Sequence, residues 1–310
     1  MTSDNHSADI AILGGGPGGY VAAIVAAQHG VRVALVEKDR VGGTCLNVGC
    51  IPTKALLTSA DLLLHARRAT NFGLSIPSAE PDLVGLMAFK RRTVDQLVSG
   101  VEQMLKGRKV TIHRGEGKLI KPDTLAVRTA GGEMREIVAP RIILAPGSIT
   151  SVPPIEGQNL PGVMTSTEAL EIDSVPPRMV IVGGGVIGLE FACIYEALGS
   201  KVTVLELTSG ILPGATDETL SKRLLLLLRR RGMDIQTNAT VRKIEGVGDN
   251  LLVASQVNGV EELTQCDRVL VATGRWPNEF LRSVEIQGHG RKPPFTSKSA
   301  ELHPRSSPLS

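Results

Sequence analysis

Residues 42–54 read GGTCLNVGCIPTK, which places Cys45 and Cys50 five positions apart, with Asn47 and Gly49 between them and Pro52 and Lys54 just after. Two thiols at this spacing can form a permanent structural bridge, supply half of a metal site, or act as a redox pair that opens and closes during turnover. A closed zinc site asks for four ligands, and the chain has no second close Cys or His pair. Cys193 and Cys266 stand alone in apolar surroundings and read as core packing. Four cysteines among 310 residues do not make a secreted disulfide framework. In a cytosolic protein a cysteine pair is more often catalytic or metal-binding than structural.

What precedes the cysteines favours redox chemistry. Residues 10–37, IAILGGGPGGYVAAIVAAQHGVRVALVE, run from an apolar stretch into glycines at 14, 16 and 19, then an Ala-rich helical stretch that stops at Gly30, then a β-branched run ending on Glu37. This is strand, tight turn, helix, strand. In such a unit the first glycine permits the turn, the second lets the backbone approach a pyrophosphate, and the third lets helix pack on strand. The helix N-terminus aims free N–H groups at the phosphates. Pro17 sits where a first-turn proline is tolerated, and Glu37 is placed to accept from a ribose hydroxyl. Residues 180–206, VIVGGGVIGLEFACIYEALGSKVTVLE, repeat the unit with glycines at 183, 185 and 188. Gly14 to Glu37 and Gly183 to Glu206 both span 23 positions, and Gly30 and Gly199 both fall sixteen after the first glycine. The expected fold is α/β, with two Rossmann-like dinucleotide-binding units. Glu206 argues for NAD over NADP in the second, because a carboxylate repels a 2′-phosphate and no arginine follows it.

The stretch after the cysteines, IPTKALLTSADLLLHARR, has helical spacing at Leu56, Leu57, Leu63 and Leu64. Cys50 is therefore expected near a helix N-terminus, where partial positive charge favours a thiolate. A regular helix would turn Cys45 and Cys50 apart, whereas a disulfide needs their Cα atoms within about 7 Å. Asn47 and Gly49 tolerate the distorted turn that this requires.

Composition limits the remaining classes. Apolar residues make up 42% and charged residues 21%, enough for a packed core, and aromatics at 3% make that core aliphatic. A net charge of +3 is too small to argue for nucleic acid, and LLLLLRRR (224–231) has no aromatic stacking platform beside it. It reads as a buried helix with cations at its end. No apolar run reaches the ~18 residues of a membrane span. The opening MTSDNHSADI has the marks of neither a signal nor a transit peptide, so a cytoplasmic protein is expected. Leu83–Lys106 reads as a long helix, and 109–139 as short strands turning at Gly131–Gly132.

Over residues 8–278 the chain resembles the pyridine nucleotide–disulfide oxidoreductases. GGTCLNVGCIPTKALL is most similar to dihydrolipoamide dehydrogenases; mercuric and glutathione reductases share the cysteine pair. The resemblance rests on both glycine units, the cysteine segment, STEALEIDSVPP before the second unit, and VATGRWPN at 271–278. It implies FAD in a domain at 1–150, NAD in a domain at 151–277, and electrons passing from dihydrolipoamide through Cys45 and Cys50 to FAD, with hydride transfer to NAD+. Cys50 would lie against the flavin and Cys45 would exchange with the substrate. Lys54 matches the family lysine beside flavin N5, and Glu190 its partner acid. The FAD site implied in this way takes in Gly14, Gly16, Gly19, Glu37, Lys38, Gly42, Gly43, Thr44, Gly117, Gly147 and Ser148. The NAD site takes in Gly183, Gly185, Gly188, Glu190, Glu206, Val241 and Gly274. Residues 141–148, RIILAPGS, correspond to a family stretch reading IIxATGS. Pro146 there removes a hydroxyl and a backbone N–H where the chain meets flavin.

Past Asn278 the family pattern is not followed. Residues 278–310 are rich in Ser, Pro and Lys and read as a divergent, disordered tail. Family members continue with a Gly-Asp segment that closes the FAD site, then an interface domain that makes a homodimer and supplies a His–Glu pair. The resemblance therefore implies a chain truncated before that domain. The implied partners are a small dithiol or a lipoyl domain, and a 2-oxoacid dehydrogenase complex. Alternative readings are an impaired nucleotide-binding fragment, or a related reductase such as mercuric reductase. No metal is expected.

Overall fold

A computed structural model describes residues 6–278. The expected tail lies, past Asn278, outside the described residues.

The first unit runs β1 (His6–Ser7), β2 (Ile10–Leu13), α1 (Pro17–Gln28), β3 (Val33–Glu37), α2 (Gly43–Val48), α3 (Cys50–Arg67), α4 (Leu83–Gly107), β4 (Thr111–Arg114), β5 (Glu116–Lys121), β6 (Thr124–Arg128), β7 (Met134–Val138) and β8 (Ile142–Leu144). Strands β4, β3, β2 and β8 lie in that order as a parallel sheet. Alternation along β2 and β3 explains its two cores. Ile12, Val33 and Leu35 face one way and pack with Val94, Val98 and Leu105 of α4. Ala11, Leu13, Ala34 and Val36 face the other way and meet Leu125, Val127 and Ile137 of the antiparallel β5–β6–β7 meander. Period-two side chains thus give helices, sheet and meander as three layers.

The second unit repeats this plan. After β9 (Ser148–Thr150) and β10 (Val163–Met164) come β11 (Arg178–Val182), α5 (Val186–Leu198), β12 (Lys201–Leu205), α6 (Glu218–Arg230), β13 (Asp234–Gln236), β14 (Ala239–Val247), β15 (Asn250–Val257), β16 (Val260–Cys266), β17 (Arg268–Val271) and β18 (Arg275–Pro277). The parallel sheet has the order β10-β17-β11-β12-β13, and β14–β16 form its meander. The two Rossmann-like units read from the glycine spacing are both present. Pro17 is the first residue of α1, and Gly30 and Gly199 take positive φ (78° and 116°) just past α1 and α5. Leu83–Gly107 is the expected long helix, and the strands of 109–139 turn at Gly131–Gly132.

Several features join the units. Helix α3 packs on α5, and its Leu56 enters the second unit's core with Leu86 and Met87 of α4. Strand β9 leaves the first unit and pairs antiparallel with β18, which ends the second. Lys90 adds a buried tie, donating to Leu170 O at 2.7 Å and Glu171 Oε1 at 2.6 Å.

The leucine run of 224–231 is not a buried helix. Helix α6 buries Leu228, but Leu226 and Leu227 are 42% and 44% exposed. At about 100° per residue, five successive leucines cannot share one face. Among the described residues no helix is long and apolar enough to cross a membrane.

Candidate active site

The two cysteines meet at a break between helices. Cys45 lies within α2, and Cys50 is the first residue of α3. Gly49 takes φ −146° and ψ −113° between them. A Cβ there would stand 2.8 Å from Thr44 O, so the close approach requires glycine. Thr53 fastens the first turn of α3, its N–H and Oγ1 donating to Gly49 O at 3.1 and 2.6 Å. The result is that Cys50 lies close enough to Cys45 to bear on its thiol. Both thiols are free, Cys45 half-buried and Cys50 exposed. Burial first, and then the Cys50 contact, push the Cys45 thiol up to about 11.

One helical turn beyond Cys50, Lys54 reaches across the units. Its Nζ donates to Glu190 Oε1 on α5 at 2.7 Å. The Glu190 carboxylate raises the Lys54 pKa, and the cysteines act in the same direction. Lys54 is 57% exposed and Glu190 22%, so one side of this bridge faces solvent.

The glycine loops have matching geometry. A Cβ on Gly19 would stand 1.7 Å from Gly14 O, and one on Gly188 would stand 2.0 Å from Gly183 O. Gly14 and Gly183 take positive φ (103° and 112°) against Ala145 O and Ala272 O. These four are glycine because the fold demands it. Gly16 and Gly185 are different. Their φ values, −73° and −76°, suit any residue, and a Cβ would find nothing nearer than 3.8 Å at Gly16 and nothing within 4 Å at Gly185. The open space lies at the N-termini of α1 and α5, where N–H groups have no helical partner. These are cradles that a Cβ would fill, and they fit the pyrophosphates of two dinucleotides.

Glu37, the last residue of β3, and Glu206, just past β12, are buried, 8% and 5% exposed. Each carboxylate accepts from its own glycine loop, Gly15 N and Gly184 N, both at 2.6 Å. Each also accepts from the residue two positions on, Asp39 N and Thr208 N, both at 2.8 Å. Glu206 accepts a third bond, from Thr208 Oγ1 at 2.7 Å. An ionised carboxylate has about four acceptor positions, so capacity for a ribose hydroxyl remains on both.

A groove of about 550 Å³ opens beside the first loop, lined by Gly14, Glu37, Lys38, Gly117, Pro146 and Asn278 among others. Gly117 serves packing too, because a Cβ there would meet Leu13 Cδ1 at 2.4 Å. Gly42 and Gly43 lie over the loop: Gly42 N donates to Gly15 O at 2.8 Å, and Gly43 approaches Gly16 Cα. Thr44 follows them in α2, exposed. Gly147 and Gly274 flank the β9–β18 pair, Gly147 O accepting from Asn278 N at 3.0 Å and Gly274 O from Ser151 N at 2.9 Å. Val241 sits on β14 at a register break, packed against the second unit's core.

Two contacts were not singled out from the sequence. Arg275 donates through Nε to Ser148 Oγ at 2.8 Å and through Nη2 to Ser148 O at 2.6 Å, tying the two units beside the candidate site. Burial lowers its pKa, and nearby Cys50 opposes that shift. Its signal was adjacency to Gly274 in VATGRWPN. The other is the Asn47 side chain, which reaches back from α2 to the backbone of residues 40–43.

The family described as pyridine nucleotide-disulphide oxidoreductase matches residues 8–292, past the point where the motifs stop. Dihydrolipoyl dehydrogenase from Pisum sativum is 38% identical over 288 residues, covering 89% of this chain and 56% of the relative. The Bacillus subtilis enzyme of that name is 37% identical over 283 residues, covering 87% and 59%. That from Acholeplasma laidlawii is 40% identical over 275 residues, covering 87% and 79%. Among solved structures, the Cu(II) complex of HOCl-induced flavoprotein disulfide reductase RclA from Escherichia coli superposes with a TM-score of 0.75 at 32% identity, over 88% of this chain and 57% of that one. The chain thus spans a little over half the length of the pea and Bacillus relatives. With paired glycine loops, a cysteine pair between them, and a match over most of its length, this chain belongs to the pyridine nucleotide-disulphide oxidoreductase family.

Proposed function

We propose that the chain is a dihydrolipoamide dehydrogenase-like oxidoreductase, with FAD held by residues of about 1–150 and NAD by residues of about 151–277. The observation that carries this reading is the placing of Cys45 beside Cys50 at the break between α2 and α3, one turn from a lysine that bridges to the second unit. FAD, when bound, would supply the two-electron acceptor between a dithiol and a nicotinamide. The remaining roles belong to side chains.

With the pair oxidised, a substrate thiolate attacks Cys45 Sγ and forms a mixed disulfide. The substrate's second thiol then closes its own disulfide and releases Cys45, which at a pKa of about 11 takes up a proton and keeps it at neutral pH. The charge developing on Cys50 faces the α3 N–H groups and the Lys54 ammonium. Glu190 holds that ammonium charged and in place. Glu206 and the cradle at Gly185 would hold NAD. The lipoyl domain of a 2-oxoacid dehydrogenase complex, a homodimer and a cytoplasmic location belong to the same reading.

The test is reconstitution with FAD, followed by anaerobic addition of dihydrolipoamide. Bleaching of the flavin absorption band is expected. Bleaching by NADH but by no dithiol would instead indicate a nicotinamide dehydrogenase without disulfide chemistry. In the same assay Lys54→Met is expected to slow flavin reduction by about 10²-fold, the scale of one lost electrostatic donor at a reacting centre, with FAD binding largely kept. A rate matching the parent's would remove the role given to Lys54.

A further inference from the structure

We propose that Asn47 is a positioning residue that sets the effective concentration of the Cys45 thiol at Cys50, and through it the reduction potential of the pair. The inference rests on the redox reading above. Asn47 lies two positions after Cys45 and three before Cys50, inside α2. Its Nδ2 donates to Gly43 O at 3.0 Å and Val41 O at 3.2 Å, with a longer approach to Arg40 O at 3.4 Å. Its Oδ1 is buried without a hydrogen-bond partner. Three carbonyls at one end decide the amide orientation, because the reverse would set oxygen against three acceptors.

Helix α2 needs such a staple. It has six residues, between Gly42 and Gly49. A helix this short does not hold itself together in water, and flanking glycines leave its ends free. Leu46, 6% exposed, anchors one face in the core. The Asn47 amide ties the helix back to the 40–43 turn that leads into it. Without that tie, Leu46 stays anchored but the turn carrying Cys45 samples positions away from Cys50. Closing the disulfide must then restrict it again, an entropic cost that falls on the oxidised state.

The chemistry that reads this out is exchange with glutathione disulfide. One cysteine thiolate attacks a glutathione sulfur, forming a mixed disulfide and releasing one glutathione thiolate. The second cysteine thiolate attacks the protein sulfur of that mixed disulfide, forming Cys45–Cys50 and releasing the second glutathione. Two electrons pass from the pair to glutathione disulfide, and the two cysteine protons end on two glutathione thiols. Only the second step depends on the proximity of the cysteines.

The experiment equilibrates the full chain across ratios of reduced to oxidised glutathione. Acid quenching, alkylation and peptide mapping then count the Cys45–Cys50 bond. Asn47→Ala is expected to move the closure constant at least tenfold toward the dithiol, about 30 mV less negative, and to slow the second step by a similar factor. Asn47→Ser, with a single hydroxyl donor, should fall between. Val48→Ala, at a neighbouring position 39% exposed, should match the parent. A purely structural role for Asn47 would lower the melting temperature without moving the redox midpoint. An unchanged midpoint in a folded Asn47→Ala chain overturns the inference. If that variant fails to fold, an unchanged midpoint in Asn47→Ser overturns it instead. A parent chain that never forms the Cys45–Cys50 bond overturns the redox reading and this inference with it.

Discussion

Cys45→Ser and Cys50→Ser are each expected to abolish dithiol-dependent flavin reduction, on the order of 10⁴-fold, with the double variant scarcely worse than either single one. Residues that act as one unit fail together, and their losses do not add. The thiols lie beside each other across the α2–α3 break, and neither has another thiol beside it to substitute. Cys193 and Cys266 provide the contrast. Cys193 lies against the second unit's core with Arg231 near its sulfur, and Cys266 is fully buried, its thiol pushed up to about 11 by burial. Cys193→Ala and Cys266→Ala should cost some stability and leave the redox step intact. Single-turnover reduction by dihydrolipoamide, alongside thermal melts, separates these cases. Appreciable reduction by either serine variant would sink the cysteine assignment.

The second large effect divides the glycines of each loop into two groups. Gly19→Ala and Gly188→Ala are expected to destabilise the fold by about 3 kcal/mol or more, since overpacking against backbone that cannot relax reaches the upper end of its range. In both, the new methyl carbon would lie within about 2 Å of a carbonyl oxygen of the same loop. Gly16→Ala and Gly185→Ala should leave the melting temperature unchanged. Both backbones are in an ordinary region, and the new methyl enters open space. That space is the one assigned to a pyrophosphate, so dinucleotide binding should fall about 10²-fold, roughly 2.7 kcal/mol. Flavin fluorescence reports the first loop, and calorimetric titration with NAD the second. NAD binding to Gly185→Ala with the parent's affinity would contradict the cradle assignment.

Much of the architecture was legible because short-range stereochemistry produces it. Gly14 and Gly183 need positive φ, Gly30 and Gly199 stop helices, and β-branched runs such as VALVE and KVTVL suit a buried parallel sheet. The repeat of 23 positions made the second unit as readable as the first. The leucine run misled because composition says nothing of direction. Five leucines in a row are apolar, but helical geometry forces some of them outward, and only the packed sheet decides which.

For the candidate site, residue types and spacing alone singled out the cysteines, the glycines of the two GxGxxG loops and Glu37 and Glu206, whereas Gly42, Gly43, Gly117, Gly147 and Gly274 were reached by resemblance. Lys54 and Glu190 were reached by resemblance, since 136 positions separate them and no local rule pairs them. Their 2.7 Å contact exists because α3 packs on α5, a contact between units. Arg275 could not be read as a tie to Ser148, 127 positions away, until β9 and β18 paired. The double duty of Gly117, as groove wall and as packing against Leu13, was equally hidden. Local sequence alone determined the two glycine loops, their helices and the break that brings Cys45 to Cys50, because backbone sterics act over a few residues. Tertiary structure alone decided which long side chains reach that break from the other unit, because such contacts depend on how whole layers pack.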